Sequence, residues 1–308
     1  MQEIAPNLFM ENRFPPYNLG LVVTGHGVIA IDAPPRPSHA RAWLDEVRST
    51  WSEPRFLVLT DARPERLVGA ALWRVPLIVA EATARCLAAF DDKTWPDLLA
   101  GVGRAFPDEL ELLASLLPPH PTFVLTAPMQ LHYTSPPLRF ECLSGSAAGA
   151  LMLTAAAQKV LFAGDTVVAD QPPELSHTPD FDAWLKTLSS LGRRKEVQWI
   201  VPGQGPRALL RGELETQQEF MRTLEHVAAR LSRKGDGNEG VAQAATELQQ
   251  AFYPHAAHGS AIYRTLREGV EWLTAQKRAQ RLEAAAQRAA VHKEATEALP
   301  GAGETPER

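Results

Sequence analysis

The chain has 308 residues, 45% of them hydrophobic and 22% charged, a composition typical of a soluble globular protein with a sizeable core. Its formal net charge of −5 provides no overall attraction to nucleic acid or to an anionic membrane surface. No apolar run reaches the roughly 18 residues of a membrane helix. We therefore expect neither a nucleic-acid partner nor a membrane partner.

Two cysteines, Cys86 and Cys142, are present, and their spacing is typical neither of a disulfide framework nor of a structural zinc cluster. The first residues lack the basic start and apolar run of a secretory signal. Both observations predict a cytoplasmic location.

The first half of the chain predicts alternating strands and helices. Aliphatic runs at 21–23 and 28–31 flank Thr24-Gly25-His26-Gly27, a pattern that predicts a β-hairpin with His26 in its turn. After a Pro-rich loop, Ser38 is the predicted N-cap of a helix that ends near residue 49. The elements predicted next are a buried strand at 56–59, a helix at 65–73, a strand at 77–80, a helix from 81, and a mainly helical stretch at 93–117.

The second half predicts several short strands and then a helical C-terminus. The strands are expected at 122–125, 138–143, 150–153 and 160–162, and the last is closed by a Gly164-Asp165-Thr166 turn. A helix capped near Asp180 and a buried strand at 199–201 complete this part. We predict a domain at 1–210, a helical region at 211–299 with a solvated last helix, and a disordered tail at 300–308.

Five landmarks occur in a recognisable order. The first is the stretch 18–23 of the opening hairpin, followed by Ile31-Asp32, and the second is the loop Thr60-Asp61-Ala62-Arg63-Pro64-Glu65-Arg66 with Gly69 after it. The other three are loops that come later: Gly145-Ser146-Ala147-Ala148-Gly149, Ala163-Gly164-Asp165-Thr166 and Pro202-Gly203-Gln204-Gly205. Over residues 3–210 this series resembles the metallo-β-lactamase superfamily of hydrolases. The resemblance implies an α/β fold, a metallo-β-lactamase-like αββα sandwich, here with a helical C-terminal appendage.

The resemblance also implies where active members hold their two zinc ions. Their first loop has the pattern Thr-His-x-His-x-Asp-His, and later His, Asp and His residues complete the ligand set. In this sequence only the bridging aspartate is retained, as Asp165, and the other six of the seven positions have changed. The implied vestigial metal-site positions are Asp61, Arg63, Glu65, Arg66, Ser146, Asp165 and Gln204.

These substitutions remove the means of holding zinc. Arginine stays protonated and has no lone pair to donate, so Arg63 and Arg66 cannot ligate a metal ion and would repel a nearby cation. A hard-cation site made of Asp61, Glu65 and Asp165 is chemically allowed, but the two arginines oppose it. We therefore expect no metal, no other cofactor and no catalytic residue.

The same residues suggest what replaces the metal. Three carboxylates, of Asp61, Glu65 and Asp165, would be costly to bury without a compensating cation. Our hypothesis is that Arg63 or Arg66 pairs with Asp165. Two alternatives stay open: Asp165 accepts backbone N–H bonds within its turn, and Arg63, Glu65 and Arg66 form an exposed ion-pair surface. Ser146 and Gln204 are then polar loop residues.

Other catalytic motifs are missing from the sequence. His255 and His258 are the pair of histidines that come nearest to a metal-site spacing, and a surface position before a helix is the simpler interpretation. Neither a Gly-x-Ser-x-Gly nucleophile motif nor a phosphate-binding glycine loop is present.

Three functions follow as hypotheses. The leading one is a non-catalytic protein that binds a small anionic molecule in the arginine-lined former active site, or binds a protein partner. The second is a hydrolase of ester, thioester or lactone substrates with unusual metal ligation. The third is a scaffold or homo-oligomerisation protein that acts through its C-terminal helices.

Overall fold

A computed structural model describes residues 1–234, 237–257 and 259–297. The chain forms two compact units, Met1–Arg222 and a second that begins at Thr223. The predicted boundaries after residues 210 and 299 stay predictions. The expected disordered tail, 300–308, lies outside the described residues, as does His258.

The first sheet of the first unit has seven strands in the order of the sequence. The first four are antiparallel and the fourth to seventh are parallel. Its strands are β1 (Gln2–Ala5), β2 (Leu8–Glu11), β3 (Leu19–Thr24), β4 (Gly27–Ile31), β5 (Pro54–Val58), β6 (Leu77–Ala80) and β7 (Phe123–Leu125). The predicted hairpin is confirmed, because Thr24 pairs with Gly27 and His26 lies in the turn between β3 and β4.

The second sheet has six strands, and Met129–Leu131 is one that the sequence analysis missed. Its strands are β8 (Met129–Leu131), β9 (Leu138–Cys142), β10 (Leu151–Ala155), β11 (Val160–Val168), β12 (Trp199–Gln204) and β13 (Leu209–Leu210), and each strand lies beside the next one in the sequence. Strands β11 and β12 run parallel, and the other neighbours are antiparallel.

Helices cover the outer face of each sheet. The helices that come before β8 are α1 (Pro37–Thr50), α2 (Pro64–Ala71), α3 (Glu81–Ala88), α4 (Thr94–Ala105) and α5 (Leu110–Ala114). Helix α6 (Phe181–Gly192) packs on the second sheet, where the indole N–H of Trp184 donates to the backbone oxygen of Thr166 at 3.0 Å. Asp180 caps α6 as predicted, since its side chain accepts the N–H of Ala183.

The pattern of strand β4 explains why the first sheet is covered on both faces. Val28 and Ala30 belong to the apolar cluster beneath the helices, whereas Ile29 and Ile31 belong to the cluster between the two sheets. Because successive side chains point to opposite faces, an uninterrupted apolar strand requires a covering layer on each side. The αββα sandwich that the resemblance implies is confirmed.

Two local expectations were wrong. Helix α1 begins at Pro37 with Arg36 as its N-cap, and Ser38 lies inside the first turn, where its N–H donates to Oε2 of Glu109 at 3.1 Å. Proline is favoured at the first helical position because its missing N–H would be unpaired there in any case. The carboxylate of Glu109, which is distant in sequence, therefore accepts a free N–H of the first turn, the role that the sequence analysis assigned to the Ser38 side chain.

Asp165 lies inside a strand and not in a turn that closes one. Strand β11 continues to Val168 because β12 runs beside it in parallel. Gly164 has a φ of +53° and the pairing register shifts there, which marks an irregularity within the strand.

Three helices form the C-terminal part: α7 (Leu214–Lys234), α8 (Asn238–Phe252) and α9 (Ala261–Glu297). Helix α8 packs against α9. Residues 278–291 of α9 are exposed on every side, including Leu282 and Val291, each about two-thirds exposed. Among the described residues, none of the helices combines the length and apolarity that a bilayer crossing requires.

Two helical glycines provide a test of how closely α2 packs on the loop that follows β4. A Cβ atom at Gly69 would lie 2.3 Å from the backbone oxygen of Pro34, whereas one at Gly101 in α4 would meet only the flexible end of Arg104 at 3.6 Å. We predict that Gly69→Ala lowers the free energy of unfolding by about 1–3 kcal/mol. Gly101→Ala, the matched control, should raise it by up to about 1 kcal/mol. Urea unfolding measures both, and a shift of the same sign in the two variants would contradict the packing described.

Candidate functional site

The candidate site lies at one edge of the sandwich, where several strands end. Asp32 follows β4, and the loop 59–63 connects β5 to α2. Asp165 belongs to β11, and Gln204 is the last residue of the parallel strand β12. Ends of parallel strands in α/β folds commonly carry binding and catalytic groups, so this edge is the expected position for a site.

Arg66 is the centre of the cluster. Its side chain is fully buried, with a relative exposure of 0%. Its Nη2 atom lies 2.5 Å from Oδ1 of Asp165, its Nε atom lies 3.2 Å from Oδ1 of Asp61, and its Nη1 atom forms an ion pair with Asp32. One guanidinium group therefore contacts three carboxylates from three different segments of the first unit.

Arg63 is the second buried cation, with 2% exposure. Its Nη1 atom lies 2.7 Å from Oδ2 of Asp165 and 3.2 Å from Oε2 of Glu174, and its Nε atom lies 3.8 Å from Oδ2 of Asp61. The hypothesis that Arg63 or Arg66 pairs with Asp165 is confirmed for both arginines. The alternative of an exposed ion-pair surface is wrong, because both guanidinium groups are inside the protein.

Neutral hydrogen-bond donors complete the coordination of the carboxylates. Asp32 accepts the backbone N–H of Thr60 at 2.9 Å and its hydroxyl at 2.7 Å. Oδ2 of Asp165 accepts from Nε2 of Gln204 at 2.8 Å, and Oε1 of Gln204 accepts from Nε2 of Gln171 at the same distance. A buried carboxylate needs such partners because it has lost the hydrogen bonds of water.

The ring of Tyr17 covers the guanidinium of Arg66. The Cζ atom of Arg66 is 4.3 Å from the ring centroid, which is within the range of a cation–π contact. Tyr17 is held there by an isolated β-bridge to Gln204. Burial raises the pKa of the Tyr17 hydroxyl above its ordinary value.

The buried charges do not balance when all groups are ionised, since the carboxylates of Asp32, Asp61 and Asp165 face two guanidinium groups. Burial raises the pKa of Asp61 to about 6, against the opposing effect of Arg66. Burial likewise raises the pKa of Asp32, again opposed by Arg66. Burial alone would lower the pKa of Arg66, but the nearby carboxylates, Asp165 first, outweigh it and keep the guanidinium charged. A proton held on Asp61 would make the cluster neutral.

Three sequence expectations need correction here. Asp165 bonds to the side chains of Arg66, Arg63 and Gln204, and within the described part of the chain no backbone N–H group donates to its carboxylate. Among the described residues, Glu65 forms neither an ion pair nor a hydrogen bond with the arginines, and Asp32 is the third carboxylate in its stead. Gln204 is a strand residue that donates directly to Asp165 and is therefore more than a polar loop residue.

Ser146 is buried in the loop 143–150, which contacts the loop of Asp61 through a hydrogen bond from the N–H of Ala62 to the oxygen of Ala148. Within the part of the chain that the structure describes, no hydrogen bond connects Ser146 to the arginine cluster. The two loops are thus neighbours, while the Ser146 side chain stays outside the ion-pair network.

Sequence reasoning did not place Asp32, Tyr17, Gln171 or Glu174 in the site. Asp32 had a signal, because it matches the aspartate that ends the family's second strand, and its φ of +58° shows a specialised backbone position. For Tyr17, Gln171 and Glu174 the sequence contains no local pattern that points to the site.

The zinc pair that the resemblance implies for active members does not fit these residues. Among the described residues, no group of three or more His, Cys, Asp or Glu side chains is placed to hold a metal ion. The carboxylates that converge at this edge are instead in contact with guanidinium groups, which offer no lone pair.

No protein-family model matches the sequence, and no curated protein sequence matches it either. Solved structures do match the fold. A sec-alkylsulfatase from Pseudomonas sp. has 16% identity and a TM-score of 0.63 over 87% of this chain and 49% of its own. A metallo-β-lactamase family protein from Thermus thermophilus has 17% identity and a TM-score of 0.58 over 87% and 92%. A metallo-β-lactamase from Pontibacter korlensis has 17% identity and a TM-score of 0.52 over 72% and 97%.

This chain spans about half the length of the alkylsulfatase and more than nine-tenths of the other two structures. Identities of this size are informative about the fold and not about substrates or reactions. Together with the two-sheet topology and the position of the site, they show that this chain has the metallo-β-lactamase fold.

Proposed function

We propose that this protein is a non-catalytic member of the metallo-β-lactamase superfamily that acts by binding, with Arg63 and Arg66 occupying the place of the metal ions. The observation that carries the proposal is the fully buried guanidinium of Arg66 in contact with Asp32, Asp61 and Asp165. On this proposal, the seven aligned ligand positions are the remnant of a metal site.

The loss of catalysis follows from the chemistry of the side chains. A metallohydrolase needs lone-pair donors that hold the metal and an ion that activates a water molecule. Arg66 stays a cation and donates hydrogen bonds, so it can neutralise the carboxylates but cannot generate a nucleophile. Among the described residues, no base is hydrogen-bonded to Ser146, the hydroxyl that stands at one of the seven aligned ligand positions.

The proposal assigns the arginine cluster a structural role. Arg66 connects the end of β4, the loop before α2 and strand β11, and Gln204 adds β12 through Asp165. A metal pair held at the aligned ligand positions would cross-link the loop before α2, β11 and β12 by coordination. Breaking a buried ion pair by removing one partner is strongly destabilising, because the other charge is left uncompensated.

Burial of the cluster also bears on the kind of ligand. Both guanidinium groups contact carboxylates and are almost fully shielded from solvent, so an anionic molecule would reach them only by displacing Asp165 or its neighbours. This arrangement favours binding of a small anion or a protein partner on surfaces outside the cluster. We also propose a cytoplasmic protein, because Cys86 and Cys142 are both free, as is usual in a reducing compartment.

Metal content tests the proposal directly. The untagged protein, exposed to Zn²⁺, Mn²⁺ and Fe²⁺ and then freed of loosely bound ions, should retain almost no metal by elemental analysis, since the arginines repel a cation. A dizinc metallo-β-lactamase handled in the same way is the positive control and should retain roughly one or two equivalents.

A hydrolysis assay separates loss of metal from loss of activity. Ester, thioester and lactone substrates should be hydrolysed no faster by the wild type than by Asp165→Asn, with folding of both proteins checked by circular dichroism. Stoichiometric metal in the wild type, or turnover that disappears in Asp165→Asn, would contradict the proposal and favour a catalytic hydrolase.

The raised pKa of Asp61 predicts a pH effect with a definite sign. An acid whose pKa rises on folding, here from 3.8 to about 6, holds its proton more tightly in the folded state. Its contribution to stability is complete below the unfolded value and is lost as the pH rises through the folded value. Asp61→Asn removes this titration and keeps a side-chain oxygen that can accept the N–H of Arg63.

Between pH 3.8 and about 6, the free energy of unfolding of the wild type should therefore fall relative to that of Asp61→Asn, by about 1–3 kcal/mol in total. Urea unfolding at a series of pH values measures the difference, and Asp92→Asn, which changes an exposed carboxylate, is the control. Parallel curves for the wild type and Asp61→Asn would contradict the assignment of a proton to Asp61.

A further inference from the structure

A cavity away from the arginine cluster has the features of a small-molecule site. It has a volume of about 750 Å³ and lies between helix α1, the C-terminal end of α2 with the residues that follow it, and the segment 115–120. Ligand pockets of proteins commonly have volumes of about 300–1,000 Å³. The cavity is therefore large enough for a small organic molecule.

Its charged rim is mainly cationic. Arg41, Arg48 and Arg74 line it together with a single carboxylate, that of Asp45. Arg48 is engaged by Glu53, whose Oε2 atom is 2.5 Å from its Nε atom, and it lies 3.8 Å from Asp45. Among the described residues, Arg41 and Arg74 pair with no carboxylate, and both side chains are exposed.

Two guanidinium groups that pair with no carboxylate among the described residues thus line one cavity, in a chain whose formal net charge is −5. The three arginines at this rim outnumber the carboxylates of Asp45 and Glu53, and such a local excess of positive charge attracts an anionic group. Guanidinium groups also match carboxylate and phosphate oxygens geometrically through paired N–H donors. Arg41 and Arg74 are thus available to a ligand, whereas Arg63 and Arg66 are buried.

The wall of the cavity adds an apolar component. Leu44, Leu72, Val75 and Leu116 contribute aliphatic side chains, and Leu117, which is 77% exposed, stands at the edge. Burial of such an exposed leucine against an apolar ligand group removes apolar surface from water and therefore favours binding. The surface thus combines a cationic rim with an apolar wall.

We propose that this cavity binds a small amphipathic anion, in which a carboxylate or phosphate is received by Arg41 and Arg74 and an apolar group lies against the leucines. The proposal goes beyond the loss of catalysis, because it names a second site and the class of ligand that fits it. It also depends on different residues, so metal bound at Asp165 would overturn the proposed function and leave this site unaffected.

A comparison of two probes with the same chain length tests the proposal. Isothermal titration calorimetry of the full chain with octanoate and with neutral octanol, both below aggregation, separates the charge from the apolar group. We expect octanoate to bind at least about tenfold more tightly than octanol, the effect of one good charge contact of roughly 1.4 kcal/mol. The double variant Arg41→Gln/Arg74→Gln should lose this preference.

Arg104→Gln, which changes an exposed arginine of α4 outside the cavity, is the matched control and should keep the preference. The melting temperatures of all variants should match that of the wild type, because Arg41 and Arg74 form no ion pair within the described part of the chain. If the double variant does not fold, the single variants Arg41→Gln and Arg74→Gln test the site, and each substitution by itself should weaken the binding of octanoate. No preference for octanoate in the wild type, or a preference that survives these substitutions, would overturn the site.

Discussion

The contact of the Arg66 guanidinium with Asp32, Asp61 and Asp165 is the interaction on which the candidate site depends. Asp32 and Asp61 follow the neighbouring strands β4 and β5 of the first sheet, and Asp165 in β11 of the second sheet meets them because the two sheets pack face to face. Three buried negative charges at one edge require a counter-charge. The Arg66 guanidinium supplies it from inside the protein.

One guanidinium cannot neutralise three carboxylates, and the surroundings of Arg66 reflect this. It carries one positive charge and directs planar N–H donors, so the carboxylates need further partners. Arg63 adds a second cation, and Thr60 and Gln204 donate to Asp32 and Asp165. Burial raises the pKa of Asp61 to about 6, so below that pH a proton on Asp61 would remove the remaining negative charge. The balance is one of charge, since among the described residues Nε and Nη2 of Arg63 and Nε and Nη1 of Arg66 form no hydrogen bond.

Local sequence patterns predicted those parts of the site whose geometry is set within a few residues. The loop from Thr60 to Arg66 keeps the frame of the motif on which the resemblance rests, so an ion pair of Arg63 or Arg66 with Asp165 could be anticipated, although not that both arginines form it. Glu65 was misplaced because adjacent residues on a helix do not face each other, and α2 begins before it, at Pro64. The extension of β11 through Asp165 depends on β12, and the approach of Tyr17 depends on Gln204, both of which are contacts distant in sequence.

The coupling between Arg66 and Asp165 is the measurement that tests the central claim most directly. A double-mutant cycle of Arg66→Met and Asp165→Asn, followed by urea unfolding, isolates their interaction, and the exposed pair Arg48 and Glu53 provides a reference cycle. The account predicts single losses of about 3–5 kcal/mol and a coupling energy of at least about 2 kcal/mol for the buried pair, against less than about 1 kcal/mol for the reference. Additive losses at Arg66 and Asp165 would show that the guanidinium does not hold this carboxylate and would contradict the account.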